Sequence, residues 1–349
     1  MEKTRIIRSG KEVELLKYVP DYYLIAERVN RILDQLRVGI STWVTSDRFN
    51  DMNVSIWIYD DIKVNAFCCF QNGYNYIALS VGLFFAYWDT INEFVDKDNF
   101  NVVFKLSEAN RPIVMEMLYF YMLNFTIAHE FAHIAHGHLK ENSCNNYIDE
   151  IFELDEEEKS RNWATQLKEY DADSLAVMIQ SLLFVQQWED DIYANLSRFD
   201  NMFLANYLCF RTFADKAGRS FRDYMEKDIV EYDHPHPGIR MYYAYILYSY
   251  WIGTWKGYTK DVIGVLTSGS HAVVSYEKQV LEKNNIKDCY YSVAYTEKGS
   301  QHVMNLNNCW EELIDHFNQY AYVPIEKLGN IESLPFSVNE NGDFILKSN

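Results

Sequence analysis

The residues with the most chemical potential sit in one run, His129-Glu130-Phe131-Ala132-His133-Ile134-Ala135-His136-Gly137-His138, which contains the pattern HExxH. On a helix, residues four apart share a face, so the imidazoles of His129 and His133 can aim at one point and hold a divalent ion. Glu130 lies beside that point and can take a proton from a water that the ion activates. Histidine is scarce, with nine in the chain, and chance gives only about 0.02 HExxH matches at this composition. The competing reading is a buried helix whose histidines are merely hydrogen-bonded.

Two histidines leave such a site incomplete. A third histidine in the pattern HExxHxxGxxH would fall at 139, where the chain has Leu139. A carboxylate from a later helix is the other route. Lys168-Glu169-Tyr170-Asp171-Ala172-Asp173 supplies it, with Glu169 and Asp173 four apart on one helical face. Glu169 can complete a His₂Glu set for Zn²⁺ with a fourth position left to water. Asp173 can accept the outer N–H of a ligand histidine and fix its tautomer. The competing reading of the same segment is a solvated acidic face. Further on, His234-Pro235-His236-Pro237 forces an extended loop. His234 on that loop can donate to a developing oxyanion, occupy the open metal position in a resting form, or simply be part of a structural loop.

The elements that must carry these groups are legible in outline. Ile113 to Ala128 contains one charged residue, Glu116, and reads as a buried helix, with Pro112 in its first turn and Gly137 at its end. Residues 162–188 read as the helix bearing Glu169. Residues 149–161 carry seven acids and read as a solvated connection or helix start between the two. Residues 54–59 alternate as a strand, and runs at 64–70 and 76–81 flank Asn72-Gly73, a hairpin signal with a loop of two residues or more. A helix follows over 83–95. Helical spacing marks 21–38, and aromatic-rich helices are expected over 190–230 and from Arg240 to about Trp255. Residues 272–282 and 309–320 read as helices, and Phe336–Leu346 as a hairpin around Asn341-Gly342. The domain reading is residues 1–258 for the site and 259–349 for a mixed α/β extension packed on it.

Composition bounds the function. Hydrophobic residues make up 48% of the 349, ample for a sizeable core, and 32 basic against 50 acidic residues give a net charge of −18. That balance argues against binding nucleic acid or an anionic membrane. The first twenty residues contain no apolar signal core, and none of the six cysteines forms a spaced CxxC pair, so they read as reduced thiols in a cytoplasmic protein. The uncharged runs 117–128, 174–188 and 241–255 are each too short for a transmembrane span.

Together these residues resemble the minimal gluzincin metallopeptidases, the group that includes the prenyl-protein and heat-shock membrane proteases. Asn65-Ala66-Phe67 followed by Gly82-Leu83 is similar to that group's NAF…GL strands. His138, nine positions after His129, matches its HExxHxxxxH form; Glu169 to Asp173 matches ExxxD; and His234-Pro235 with Arg240 matches HPxxxxR. The resemblance covers roughly residues 50–245, and within the group it is nearest to the phage-exclusion peptidases of the Lit type. It implies an α+β, mostly helical fold, with a zincin-like core and a small sheet packed on the HExxH and Glu helices. It further implies Zn²⁺ on His129, His133 and Glu169, with Glu130 as base, and Lit-type function implies a translation factor, elongation factor Tu, as protein substrate. The expectation is therefore a cytoplasmic zinc endopeptidase. Its alternatives are a zinc-stabilised sensor or binding module without turnover, and a quality-control protease at a membrane surface.

Overall fold

A computed structural model describes residues 4–8, 11–16, 34, 52–95, 110–140, 157–216, 232, 234–280, 293, 296–327, 336–338 and 344–346. The fold is mostly helical with one mixed sheet, as the sequence suggests. The strands are β1 (Thr4–Arg8), β2 (Lys11–Leu16), β3 (Val54–Tyr59), β4 (Ala66–Gln71) and β5 (Tyr74–Ser80), in the spatial order β1-β2-β3-β5-β4. The helices are α1 (Val81–Val95), α2 (Arg111–Ala135), α3 (Glu157–Gln186), α4 (Ile192–Lys216), α5 (Pro237–Lys256), α6 (Lys260–Ser275) and α7 (Glu297–Phe317). A π turn, Tyr276–Val280, extends α6. Strands β6 (Phe336–Val338) and β7 (Phe344–Leu346) pair antiparallel, as expected of that segment.

The β4–β5 hairpin closes through two residues. Asn72 and Gly73 have φ of 54° and 82°, the left-handed pair of a type I′ turn, whose twist matches that of the strands it joins. Gln71 therefore faces Tyr74 directly, and β5 begins two residues earlier than the apolar run suggests. β5 runs parallel to β3, which leaves β4 on the outside of the sheet. The link between β3 and β4 is stapled to the start of α1. Ser80 Oγ accepts from Leu83 N at 3.1 Å as the N-cap of that helix, and also from Asn65 N at 3.0 Å. Gly82 N donates to Asp61 O at 2.8 Å, and a Cβ at Gly82 would meet Ile62 O at 2.1 Å, so only glycine permits this approach. β4 itself packs against α2.

Helix α2 is buried around its whole girth from Met122 to Ala132, between α1, α3, α4 and β4, with Asn124, Thr126, His129 and Glu130 the polar residues of that stretch. It ends in a Schellman turn. Gly137, at φ 77°, lets His138 N bond to His133 O at 3.0 Å and Gly137 N to Ile134 O at 3.0 Å. Tyr322 N and Val323 N, from the segment after α7, both donate to Ala135 O, at 2.7 and 3.0 Å. Helices α3 and α5 pack together, and α7 lies on α3.

Helix starts are where the sequence reading falls short. α6 begins at Lys260 and α7 at Glu297, twelve residues ahead of expectation in each case. Thr259 and Thr296 are the N-caps, accepting from Val262 N at 3.3 Å and Gly299 N at 3.0 Å, and each is followed by an acid in the first turn. The β1–β2 hairpin was not anticipated, although Ser9-Gly10 is a turn dipeptide between its strands. The expected helix over 21–38 lies, apart from Asp34, outside the described residues, as do the acidic connection before residue 157 and residues 217–231.

Candidate metal centre

Helix α2 brings His129 and His133 onto one face, one turn apart, with their Nε2 atoms 3.1 Å from each other. Helix α3 packs beside it and presents Glu169. Its Oε2 stands 3.3 Å from His129 Nε2 and its Oε1 3.4 Å from His133 Nε2. A tetrahedral ion with bonds near 2.05 Å separates its ligand atoms by about 3.3 Å, so the spacing of each imidazole from the nearer carboxylate oxygen is that of a tetrahedral edge. The three donors lie close enough together to hold a metal ion.

The electrostatics ask for a cation at the same point. Burial opposes a charge on His129, yet Glu169 and Asp173 outweigh it and push its pKa up to about 10. Burial would likewise raise Glu169, but His234 and His129 hold it well below the usual carboxylate range. A metal ion would take over the positive charge that the proton on His129 supplies, and binding releases that proton.

Asp173 is fully buried and supports the first ligand. Its Oδ1 is 2.8 Å from His129 Nδ1, which fixes the tautomer that leaves Nε2 facing the site. Arg240 donates to it twice, from Nε at 2.8 Å and from a terminal nitrogen at 2.7 Å, and Tyr243 donates through its hydroxyl. Burial raises the Asp173 pKa, but Arg240 first and His129 next hold it down. The Arg240 guanidinium also lies 3.6 Å from Glu169 and 4.2 Å above the Phe210 ring. Arg240 is thus placed by the start of α5, where His236 caps the helix by accepting from Gly238 N at 2.9 Å.

All six residues singled out in the sequence converge. Glu130 lines the same cleft as the donors, and His234, with a side chain 45% exposed, places Nε2 3.6 Å from Glu169 Oε1. The cleft measures about 1320 Å³. Its walls are the β4 edge from Asn65 to Phe70, the inner faces of α1 and α4, and the loop at His234-Pro235.

The sequence assigned no metal or catalytic role to His136, His138 or Asp171. A second His/Asp group forms there, of His136, His138 and Asp171. Its spacings differ in kind: Asp171 Oδ2 is 2.6 Å from His136 Nδ1 and 2.8 Å from His138 Nε2. These are hydrogen-bond lengths, short of a tetrahedral edge, although the His138 contact is poorly aligned as a bond. The second carboxylate oxygen of Asp171 accepts from Trp310 Nε1 at 2.6 Å. The useful signal in the sequence was a buried-type helix carrying a third acid, Asp171, between Glu169 and Asp173.

Among the described residues no helix is long and apolar enough to cross a membrane. No family model, curated protein or solved structure matches the chain.

Proposed function

We propose that this protein is a zinc-dependent endopeptidase that hydrolyses a peptide bond of a cytoplasmic protein. The observation that carries the reading is the triangle of His129, His133 and Glu169 at the wall of an open cleft that a sheet edge also lines. His129, His133 and Glu169 would hold the zinc, which when bound would supply Lewis acidity toward water and the scissile carbonyl. Glu130, adjacent to His129 on the cleft wall, takes the proton of the attacking water and passes it to the leaving amine nitrogen. His234 reaches into the cleft and donates to the carbonyl oxygen as it gains negative charge. Asp173 and Arg240 hold His129 in place. A substrate segment adds to β4 as an extended strand, its main chain bonded to the sheet edge and its scissile bond laid across the donors. The resemblance to Lit-type peptidases points to a translation factor as substrate and to phage infection as the occasion.

The test compares new protein termini in cells that express wild type or Glu130→Gln, with and without phage infection. Cleavage products confined to the wild type are expected, with zinc content equal in both proteins. Undiminished proteolysis by Glu130→Gln refutes the mechanism.

A further inference from the structure

The two ligand histidines are supported differently. The outer nitrogen of His129 meets Asp173 directly. That of His133 meets another imidazole: His133 Nδ1 and His138 Nδ1 are 2.8 Å apart. Beyond His138 lies Asp171, also from α3 and fully buried, and beyond Asp171 lies Trp310 of α7. We propose that His138 and Asp171 are positioning residues for the metal, a relay that orients His133 and ties its tautomer to Trp310. The inference rests on the zinc-site reading above.

Proton bookkeeping gives the relay one direction. The indole of Trp310 can only donate, so Asp171 Oδ1 must accept. Asp171 Oδ2 accepts from His136 Nδ1 at 2.6 Å. His138 Nε2 lies 2.8 Å from the same carboxylate oxygen without an aligned hydrogen bond, and the buried negative charge there favours the proton on that nitrogen, which leaves Nδ1 as an acceptor. Only a proton on His133 Nδ1 satisfies that acceptor, and that is the tautomer in which Nε2 is bare toward the metal. The geometry depends on Gly137, whose left-handed backbone folds His138 back over the last turn of α2. A second metal among His136, His138 and Asp171 does not fit equally well. The nitrogen-to-oxygen distances of 2.6 and 2.8 Å would have to open by about 0.5 Å or more to reach a tetrahedral edge.

Asp171→Asn disrupts the relay in either orientation of its amide. With the NH₂ toward Trp310, two donors face each other. With it toward the histidines, His138 must accept at Nε2 and carry its proton on Nδ1, against the proton of His133. Trp310→Phe is the milder variant, since it keeps an aromatic ring beside Tyr170 and removes only the donor.

The probes are Zn²⁺, titrated in competition with a chromophoric chelator, and Co²⁺, whose d–d bands report ligand geometry. The expected result for Asp171→Asn is zinc affinity lowered about 10- to 100-fold, with shifted cobalt bands. For Trp310→Phe a loss of about threefold in the same direction is expected. Folded Asp171→Asn protein with wild-type affinity and spectrum overturns the proposal. If that variant does not fold, Trp310→Phe with wild-type affinity and bands overturns it. Wild type that takes up no metal sinks the peptidase reading and this proposal together, whereas metal binding unchanged by the variants sinks this one alone.

Discussion

Replacing Asp173 by Asn tests how the metal ligands are held. The carboxylate is fully buried and accepts from His129 Nδ1, twice from Arg240 and once from Tyr243. An amide cannot accept all four, and it removes the charge that balances Arg240, whose side chain is 11% exposed. Breaking a buried pair from one side typically costs about 3–5 kcal/mol. At about 2.1 cal/mol/K per residue, unfolding 349 residues carries an entropy near 0.7 kcal/mol/K, so Tm falls by roughly 4–7 °C. Arg240 is then drawn to its remaining carboxylate, Glu169 at 3.6 Å, where it competes with the metal. Loss of the His129 support lowers metal affinity about 10- to 100-fold, and the Arg240 shift moves it toward the upper end. Calorimetry of metal-free protein reads the first effect and zinc competition the second. Adding Arg240→Gln removes the stranded charge, so the double variant recovers much of the lost stability. A Tm within about 1 °C of wild type, with affinity within about twofold, refutes the reasoning.

Other outcomes follow from the same geometry. Gly137→Ala forces a side chain into left-handed backbone, where its Cβ would meet Tyr320 O at 2.4 Å, so a loss of about 2 kcal/mol or more is expected in urea unfolding, with weaker zinc binding as His138 shifts. His236 is fully buried, and burial lowers its pKa to about 3. Its folded pKa lies below the unfolded value near 6.5, so the stability it contributes is present above pH 6.5 and is lost as pH falls toward 3. His236→Asn keeps a capping oxygen and flattens the Tm profile over that window; a profile as steep as that of wild type contradicts the assignment.

The donors were legible because helical spacing alone sets their geometry. His129 and His133 are four apart on one helix, and Glu169 and Asp173 repeat that spacing on the next. Asn72-Gly73 was equally local, since the residues themselves prefer the backbone angles the turn requires. What remained hidden is non-local. The parallel pairing of β3 with β5 skips a strand. The link from Asp171 to Trp310 joins residues 139 apart, and no periodicity along the chain announces it. Thr259 and Thr296 were readable in principle, as capping residues before an acid, but the apolar runs that follow drew the helix starts too far downstream.

The C-terminal end of α2 is finished by residues made long after it. Ala135 O receives the N–H groups of Tyr322 and Val323, and Tyr320 packs against Gly137. A ribosome that has delivered the chain through α6 has already made every donor of the cleft, yet not the pieces that clamp the turn at His136–His138. The turn is therefore clamped only once residues 320–323 have been made, and a fragment released before them would carry the candidate metal-binding side chains without the clamp that steadies them.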